Sequence, residues 1–250
     1  MKKVKYLQRA RISGEIIEEF LQPVKKSSRA IILCGGLPST PSSKELMHFL
    51  SSKGYWVIFP RYRGTWESDG LLLKNSPHLD ILDVVSSISS GFVDLWSGEK
   101  YKIKNPKIYI IGSSFGGAAA ILASEDKRVR KIVALSPVID WRVETEAEPI
   151  YWLRDFVKNA FGNAYRYKKE SWNKLKSGKF YNPIAEIKKL DKNKIYIIHP
   201  QNDEVVTSAT SIKFEKELNC KLTLLKDGGH LSLSAIRKAA LWNKVSRFLD

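Results

Sequence analysis

Residue types that together activate a serine nucleophile occur in three separate segments of this 250-residue chain. Ser114 lies in Gly112-Ser113-Ser114-Phe115-Gly116, a G-x-S-x-G pattern between an apolar run and an alanine-rich stretch. A serine hydroxyl is a weak nucleophile until a base accepts its proton and a carboxylate orients that base. The pattern predicts a tight strand-to-helix turn that exposes Ser114 and aims the backbone N–H of Phe115 at the same pocket.

The base must come from four histidines, His48, His78, His199 and His230. His48 falls within a predicted helix and His78 directly before one, so we interpret both as structural. His230 follows two glycines in a loop after the predicted strand at 222–225. Because open α/β sheets place their ligand sites beyond the carboxyl ends of the strands, His230 is the predicted base.

The carboxylate that orients the base is predicted to be Asp203, which also follows a predicted strand. Three other acids are alternatives. Asp227 is only three residues from His230, too near to reach its outer nitrogen comfortably, and Glu204 points away if Asp203 points inward. Asp140 follows a different strand and stays a candidate. The predicted order along the chain is nucleophile, acid, base.

Short apolar runs separated by helical stretches indicate the elements that position these residues. Each run is continuous and rich in β-branched and aromatic residues, as in parallel strands covered on both faces; the runs are 30–33, 55–59, 108–111, 132–135 and 195–198. Amphipathic helices are predicted at 42–53, 79–96, 208–218 and 234–249. The alternation predicts an α/β fold with a doubly wound, mostly parallel sheet.

Two regions depart from this alternation. Residues 4–24 are predicted to form two strands that turn at Ser13-Gly14, an antiparallel edge hairpin. Almost sixty residues separate two consecutive predicted strands, and their core at 141–191 contains ten aromatic side chains. A connection that long predicts a mostly helical cap inserted into a single domain that spans 1–250.

Three further segments resemble the α/β-hydrolase family, close to its prolyl-oligopeptidase-like and carboxylesterase branches, over nearly the whole chain. Residues 60–70 (PRYRGTWESDG) resemble the family's loop after the fourth strand, and 34–38 (CGGLP) stand where it has His-Gly-Gly. Residues 199–206 (HPQNDEVV) resemble its acid loop. The resemblance implies a catalytic triad of Ser114, Asp203 and His230. It also implies an oxyanion hole in which Gly36 or Leu37 adds a second N–H to that of Phe115.

Composition excludes several other classes of protein. The net charge is +16, yet the basic residues are scattered and accompany no nucleic-acid-binding motif, so we predict no nucleic-acid partner. No apolar run is long enough to span a membrane, and the basic N-terminal stretch has no apolar region or cleavage site, so we expect no secretion by that route. Cys34 and Cys220 are far apart, which favours reduced thiols in the cytoplasm, and no Cys or His spacing suggests a metal site.

These observations predict a serine hydrolase that cleaves a carboxylic ester through an acyl-enzyme, without cofactor or metal. The substrate is expected to be a small ester or a short acyl or peptide compound. Two alternatives stay open at this point. One is a serine peptidase of the acylaminoacyl or dipeptidyl type, and the other is an α/β-hydrolase scaffold without catalytic activity.

Overall fold

Eight strands form one sheet in the computed structural model, which describes residues 6–250. The strands in chain order are β1 (Gln8–Ile12), β2 (Ile16–Leu21), β3 (Arg29–Cys34), β4 (Trp56–Pro60), β7 (Lys107–Ser113), β8 (Val129–Leu135), β9 (Ile195–Pro200) and β10 (Lys221–Leu225). Their spatial order is β1-β2-β4-β3-β7-β8-β9-β10. All neighbours from β4 to β10 are parallel, so the carboxyl ends of β7, β9 and β10 meet at one edge.

Helices cover both faces of the sheet, which confirms the predicted α/β architecture. One face packs against α2 (His78–Ser90), α3 (Phe115–Ala123) and α6 (Ser208–Leu218). The opposite face packs against α1 (Lys44–Ser52) and α7 (Ala239–Leu249). Alternation along β3 explains this division, because Ile32 points into the first layer while Ile31 and Leu33 point into the second.

The predicted N-terminal hairpin is present at the sheet edge. β1 and β2 pair in antiparallel fashion, with Ile12 opposite Ile16, and the turn contains Ser13 and Gly14, both with positive φ. β2 then pairs in antiparallel fashion with β4. Positions 4 and 5 of the predicted hairpin lie outside the described residues.

Two predicted helices have different ends in the structure. The helix predicted at 79–96 ends at Ser90, because Gly91 adopts a φ of 113° and breaks the helical path. Val93, which continues the apolar spacing, belongs instead to β5 (Phe92–Val93), which pairs with β6 (Lys100–Tyr101). The helix predicted at 234–249 is divided into a 3-10 turn at Leu233–Arg237 and α7.

The segment 141–191 contains α4 (Ile150–Phe161), α5 (Lys169–Lys176) and 3-10 turns at Gly162–Ala164 and Pro183–Lys189. Its buried side chains Trp141, Leu153 and Trp172 join the core layer that contains α3. The Trp141 ring also contacts the ring of Phe115, with centroids 5.9 Å apart. This helical segment therefore packs directly beside the serine turn.

Candidate active site

Ser114 occupies the turn between β7 and α3 with a backbone that few residues adopt. Its φ of 53° and ψ of −122° lie outside the regions that are relaxed for an L-residue. Four backbone hydrogen bonds hold it there: the Ser114 N–H donates to Leu135 O at 3.0 Å, and Ser114 O accepts from the N–H groups of Gly117 at 2.9 Å, Ala118 at 3.4 Å and Val138 at 3.2 Å. The strain is thus maintained by β7, β8 and the start of α3 together.

The glycines of the motif are required by close backbone contacts. A Cβ atom at Gly112 would lie 2.1 Å from Gly116 O, and one at Gly116 would lie 2.1 Å from Cys34 O. Both distances are far inside van der Waals contact. The G-x-S-x-G pattern therefore follows from sterics, since the turn brings α3 against the end of β3.

His230 and Asp203 are joined at the carboxyl ends of β10 and β9. His230 Nδ1 lies 2.9 Å from Asp203 Oδ2 and 3.1 Å from Oδ1. The N–H groups of Val205 and Val206 each donate to Asp203 Oδ1 at 3.0 Å. Burial alone would raise the pKa of Asp203, but these donors and His199 outweigh it and hold the pKa well below its ordinary value. The carboxyl group is therefore an ionised acceptor for His230.

A second histidine supports the acid from the other side. His199 is completely buried at the end of β9, and its Nε2 lies 2.8 Å from Val206 O and 3.3 Å from Asp203 Oδ2. Its Nδ1 lies 2.8 Å from Ser211 Oγ. The hydrogen bonds fit a neutral ring that donates from Nε2 and accepts from Ser211. Sequence reasoning noted His199 only as part of the acid-loop pattern.

The loop that carries His230 is anchored on both sides of the histidine. The Gly229 N–H donates to Asn202 Oδ1 at 3.0 Å, and the Leu231 N–H donates to Ser136 Oγ at 3.1 Å. The first contact links the loop to the acid loop and the second links it to the end of β8. Sequence reasoning missed both Asn202 and Ser136, because neither belongs to a motif.

The rival acids lie elsewhere. Asp140 accepts hydrogen bonds from Arg142 and from Asn182 Nδ2, which holds its carboxylate away from His230. The hydrogen bond from Arg142 lowers the pKa of Asp140, and this effect is larger than the opposing effect of burial. Asp227 and Glu204 are exposed to solvent. Among residues 6–250, Asp203 is the acid that contacts His230.

Backbone donors lie where an oxyanion could be held. A Cβ atom at Gly36 would be 3.5 Å from Ser114 Cβ, so the loop after β3 lies directly against the serine turn. Within the described part of the chain, the N–H groups of Gly36, Leu37 and Phe115 donate no hydrogen bond. Unused N–H groups beside a serine can accept the charge that develops on a carbonyl oxygen under attack.

Ser114 lies between two cavities. The larger, about 710 Å³, is also lined by His230 and is rich in hydroxyl side chains from the loop before α1 and the segment after His230; these are Ser39, Thr40, Ser42, Ser43, Ser232 and Ser234. The smaller, about 40 Å³, has a mixed lining. Apolar side chains such as Phe115, Trp141, Ile150 and Leu153 stand beside the carboxylates of Asp140, Glu144 and Glu148 and several threonines. Within residues 6–250, no hydrogen bond joins Ser114 Oγ to His230.

Glu148, just before α4, lines both cavities. Burial raises the pKa of its carboxyl group, the nearby His230 opposes this shift, and Asp203 adds to it. Sequence reasoning did not identify this residue, since nothing in its local pattern distinguishes it from other acids of the segment.

No group of three His, Cys, Asp or Glu side chains among residues 6–250 is arranged to hold a metal ion. Over the same residues, no helix is both long and apolar enough to cross a membrane. Cys34 and Cys220 are both buried and unpaired.

A mixed eight-stranded sheet with a strained serine turn after a central strand defines the α/β-hydrolase fold. The sequence model of the prolyl oligopeptidase family matches residues 41–250, and the chain belongs to this family of serine hydrolases. A comparison with curated protein sequences found no match.

Solved structures agree with the fold. An acylaminoacyl peptidase of Pyrococcus horikoshii matches with a TM-score of 0.66 and 18% identity over 98% of this chain; the chain spans only 40% of that protein. An esterase of Pyrococcus furiosus gives a TM-score of 0.71 and 18% identity, covering 98% of this chain and 90% of that one. A Xanthomonas campestris serine hydrolase described as lacking a lid gives a TM-score of 0.63 and 14% identity, covering 99% of this chain and 96% of that one.

Proposed function

We propose that the protein hydrolyses a carboxylic ester through an acyl-enzyme formed on Ser114, with His230 as general base and Asp203 as the acid that orients it. The observation that carries this proposal is the pair of hydrogen bonds between His230 Nδ1 and Asp203. They fix the proton on Nδ1 and leave Nε2 free to accept a proton, which is the state a general base requires.

The reaction proceeds in two balanced halves. Ser114 Oγ attacks the ester carbonyl carbon while His230 Nε2 takes the hydroxyl proton, and the resulting oxyanion is held by N–H groups of Phe115 and of Gly36 or Leu37. Collapse breaks the bond to the alcohol, which leaves with the proton from His230. Water then attacks the acyl-enzyme, gives its proton to His230, and the acid product departs as Ser114 regains its proton. One such N–H donor contributes about 3 to 4 kcal/mol to the barrier.

The two cavities suggest which part of the ester lies where. A space of about 40 Å³ bounded by Phe115, Trp141 and Leu153 has room only for a short acyl group, whereas the cavity of about 710 Å³ has room for a larger alcohol. We therefore infer a short-chain acyl ester as the substrate class. The cap segment, through Trp141 and Leu153, would set the upper limit on acyl length.

A peptide substrate is the second candidate, favoured by membership of a family that includes peptidases. A panel of p-nitrophenyl acetate, butyrate and octanoate beside alanine p-nitroanilide separates the two. We expect turnover of the short esters to exceed that of the octanoate and the anilide by at least tenfold in kcat/KM. Dominant cleavage of the anilide would replace the ester proposal with the peptidase.

The serine is tested with two matched variants in the same panel. Ser114→Ala should reduce kcat at least a thousandfold, while Ser113→Ala, one residue earlier and buried in β7, should keep activity. Equal activity of wild type and Ser114→Ala would leave the chain as a scaffold without this chemistry.

A further inference from the structure

Most carboxylates around the two cavities are paired with a basic side chain. Glu45 pairs with Arg237 at the rim of the larger cavity. Asp140 pairs with Arg142 in the smaller one. Glu144, also in the smaller cavity, pairs with Lys176 at 2.8 Å. Basic residues are abundant in a chain of net charge +16, so a neutralised carboxylate is the expected case.

Glu148 departs from this pattern. It lines both cavities, and within residues 6–250 its carboxylate has neither a hydrogen-bond partner nor an ion pair within 4 Å. It is partly buried, and its carboxyl group lies near enough to His230 for the two charges to interact. Removing a carboxylate from water without a partner costs free energy, so a partner supplied by a ligand would recover that cost.

We propose that Glu148 is a specificity-determining residue that binds a positively charged amine of the substrate, close to the ester carbonyl. The inference rests on the proposed function, because the amine is part of the molecule whose carbonyl Ser114 attacks. The partial burial of Glu148 strengthens the attraction, since a charge pair is screened less where water is excluded. The aromatic Phe115 and Trp141 in the wall of the smaller cavity also suit a cation.

The amine has two possible positions in an ester. It lies on the acyl part in an aminoacyl ester, or on the alcohol part in an amino-alcohol ester. Glu148 borders the cavity proposed for each part, so the shared chemistry is an ammonium group within a few bonds of the scissile carbonyl. Two pairs of substrates distinguish the positions.

For the acyl position, alanine methyl ester is compared with methyl isobutyrate, in which a methyl group replaces the ammonium. For the alcohol position, acetylcholine is compared with 3,3-dimethylbutyl acetate, in which carbon replaces the charged nitrogen. Rates are followed by titration of released acid at about pH 7, where an α-amino group is still largely protonated. The ratio of kcat/KM within a pair, compared between variants, cancels the intrinsic reactivity of the esters.

The variant is Glu148→Gln, which keeps the shape and removes the charge. We expect the charged-to-neutral ratio of one pair to fall about tenfold to a hundredfold, with the neutral ester little affected. A loss in the alanine pair assigns the amine to the acyl part, and a loss in the acetylcholine pair assigns it to the alcohol. Any influence of Glu148 on His230 itself changes both members of a pair alike and leaves the ratio unchanged.

Glu146→Gln is the matched control, because Glu146 is an exposed acid two residues away in the same segment. Its ratios should equal those of wild type. The proposal is wrong if Glu148→Gln leaves both ratios unchanged, or if Glu146→Gln lowers them equally, which would indicate only a general effect of net charge.

A binding measurement keeps this inference separate from the proposed function. Choline and alaninamide are titrated into the Ser114→Ala variant by NMR, with and without Glu148→Gln. Loss of binding in the double variant supports the amine site even if no ester is turned over. Turnover of neutral esters with no Glu148-dependent binding or preference overturns the inference and leaves the hydrolase intact.

Discussion

Replacing Asp203 with asparagine tests how the acid loop determines the proton position on His230. Asp203 Oδ1 accepts from two backbone N–H groups at 3.0 Å each, and only an oxygen can keep those bonds. The asparagine NH₂ group must then take the place of Oδ2, where it meets His230 Nδ1 and His199 Nε2. The NH₂ group would then face the N–H groups of both histidines, and all three are donors. The His230 ring would therefore move its proton to Nε2 and accept a hydrogen bond at Nδ1.

The magnitude follows from that change of tautomer. With the proton on Nε2, His230 can no longer accept the hydroxyl proton of Ser114. Loss of the correct tautomer in a serine-histidine-aspartate arrangement costs about 10³- to 10⁴-fold in kcat, which is about 4 to 5.5 kcal/mol in the barrier.

The assay is steady-state hydrolysis of p-nitrophenyl acetate, with folding checked by thermal unfolding. Asp140→Asn is the control, because Asp140 follows another strand of the same sheet and is engaged by Arg142. It should retain kcat within about fivefold, as expected for a solvent-screened pair. A folded Asp203→Asn variant that keeps more than a tenth of the wild-type kcat would contradict this role for Asp203, as would a larger loss of kcat in Asp140→Asn.

Three shorter predictions concern other parts of the molecule. Glu18 is fully buried with both oxygens unpartnered within residues 6–250, and burial raises its pKa to about 8. At low pH its carboxyl group is protonated in both the folded and the unfolded protein. The free energy of unfolding should therefore fall as pH rises from 4.5, the pKa of an ordinary glutamate, towards 8, by up to about 5 kcal/mol. Denaturant unfolding of Glu18→Gln should lack this dependence on pH, and an unchanged dependence would contradict the prediction. Gly116→Ala should lower the free energy of unfolding by more than about 3 kcal/mol and abolish activity, since the alanine Cβ would lie 2.1 Å from Cys34 O. A variant with the wild-type melting temperature would contradict this prediction. Leu153→Ala should raise kcat/KM for the octanoate relative to the acetate by at least fivefold by widening the smaller cavity, and an unchanged ratio would mean that the acyl group lies elsewhere.

Local physics explains which features the sequence could predict. The turn at Ser114 was predictable because its requirements, two glycines without room for a Cβ atom, lie within five consecutive residues. The hairpin at Ser13-Gly14 was predictable for the same reason. The end of α2 was predicted wrongly, because Val93 continues the apolar spacing although Gly91 has already broken the helix.

Features that depend on distant segments were not accessible to sequence reasoning. Ser136 and Asn202 anchor the His230 loop through bonds to backbone groups 95 and 27 residues away. No local sequence pattern predicts such a contact. Glu148 is one of several acids in its segment, and only the tertiary structure reveals that its neighbours are neutralised while it is not.

Covalent labelling probes whether Ser114 is the nucleophile of a serine hydrolase without reference to any substrate. The folded protein is treated with a fluorophosphonate, digested, and examined by mass spectrometry for the modified peptide. We expect one adduct per chain, located on Ser114, and none in Ser114→Ala or in protein unfolded before treatment. Absence of an adduct on the folded wild type, or an adduct on another residue such as Ser113, would contradict it.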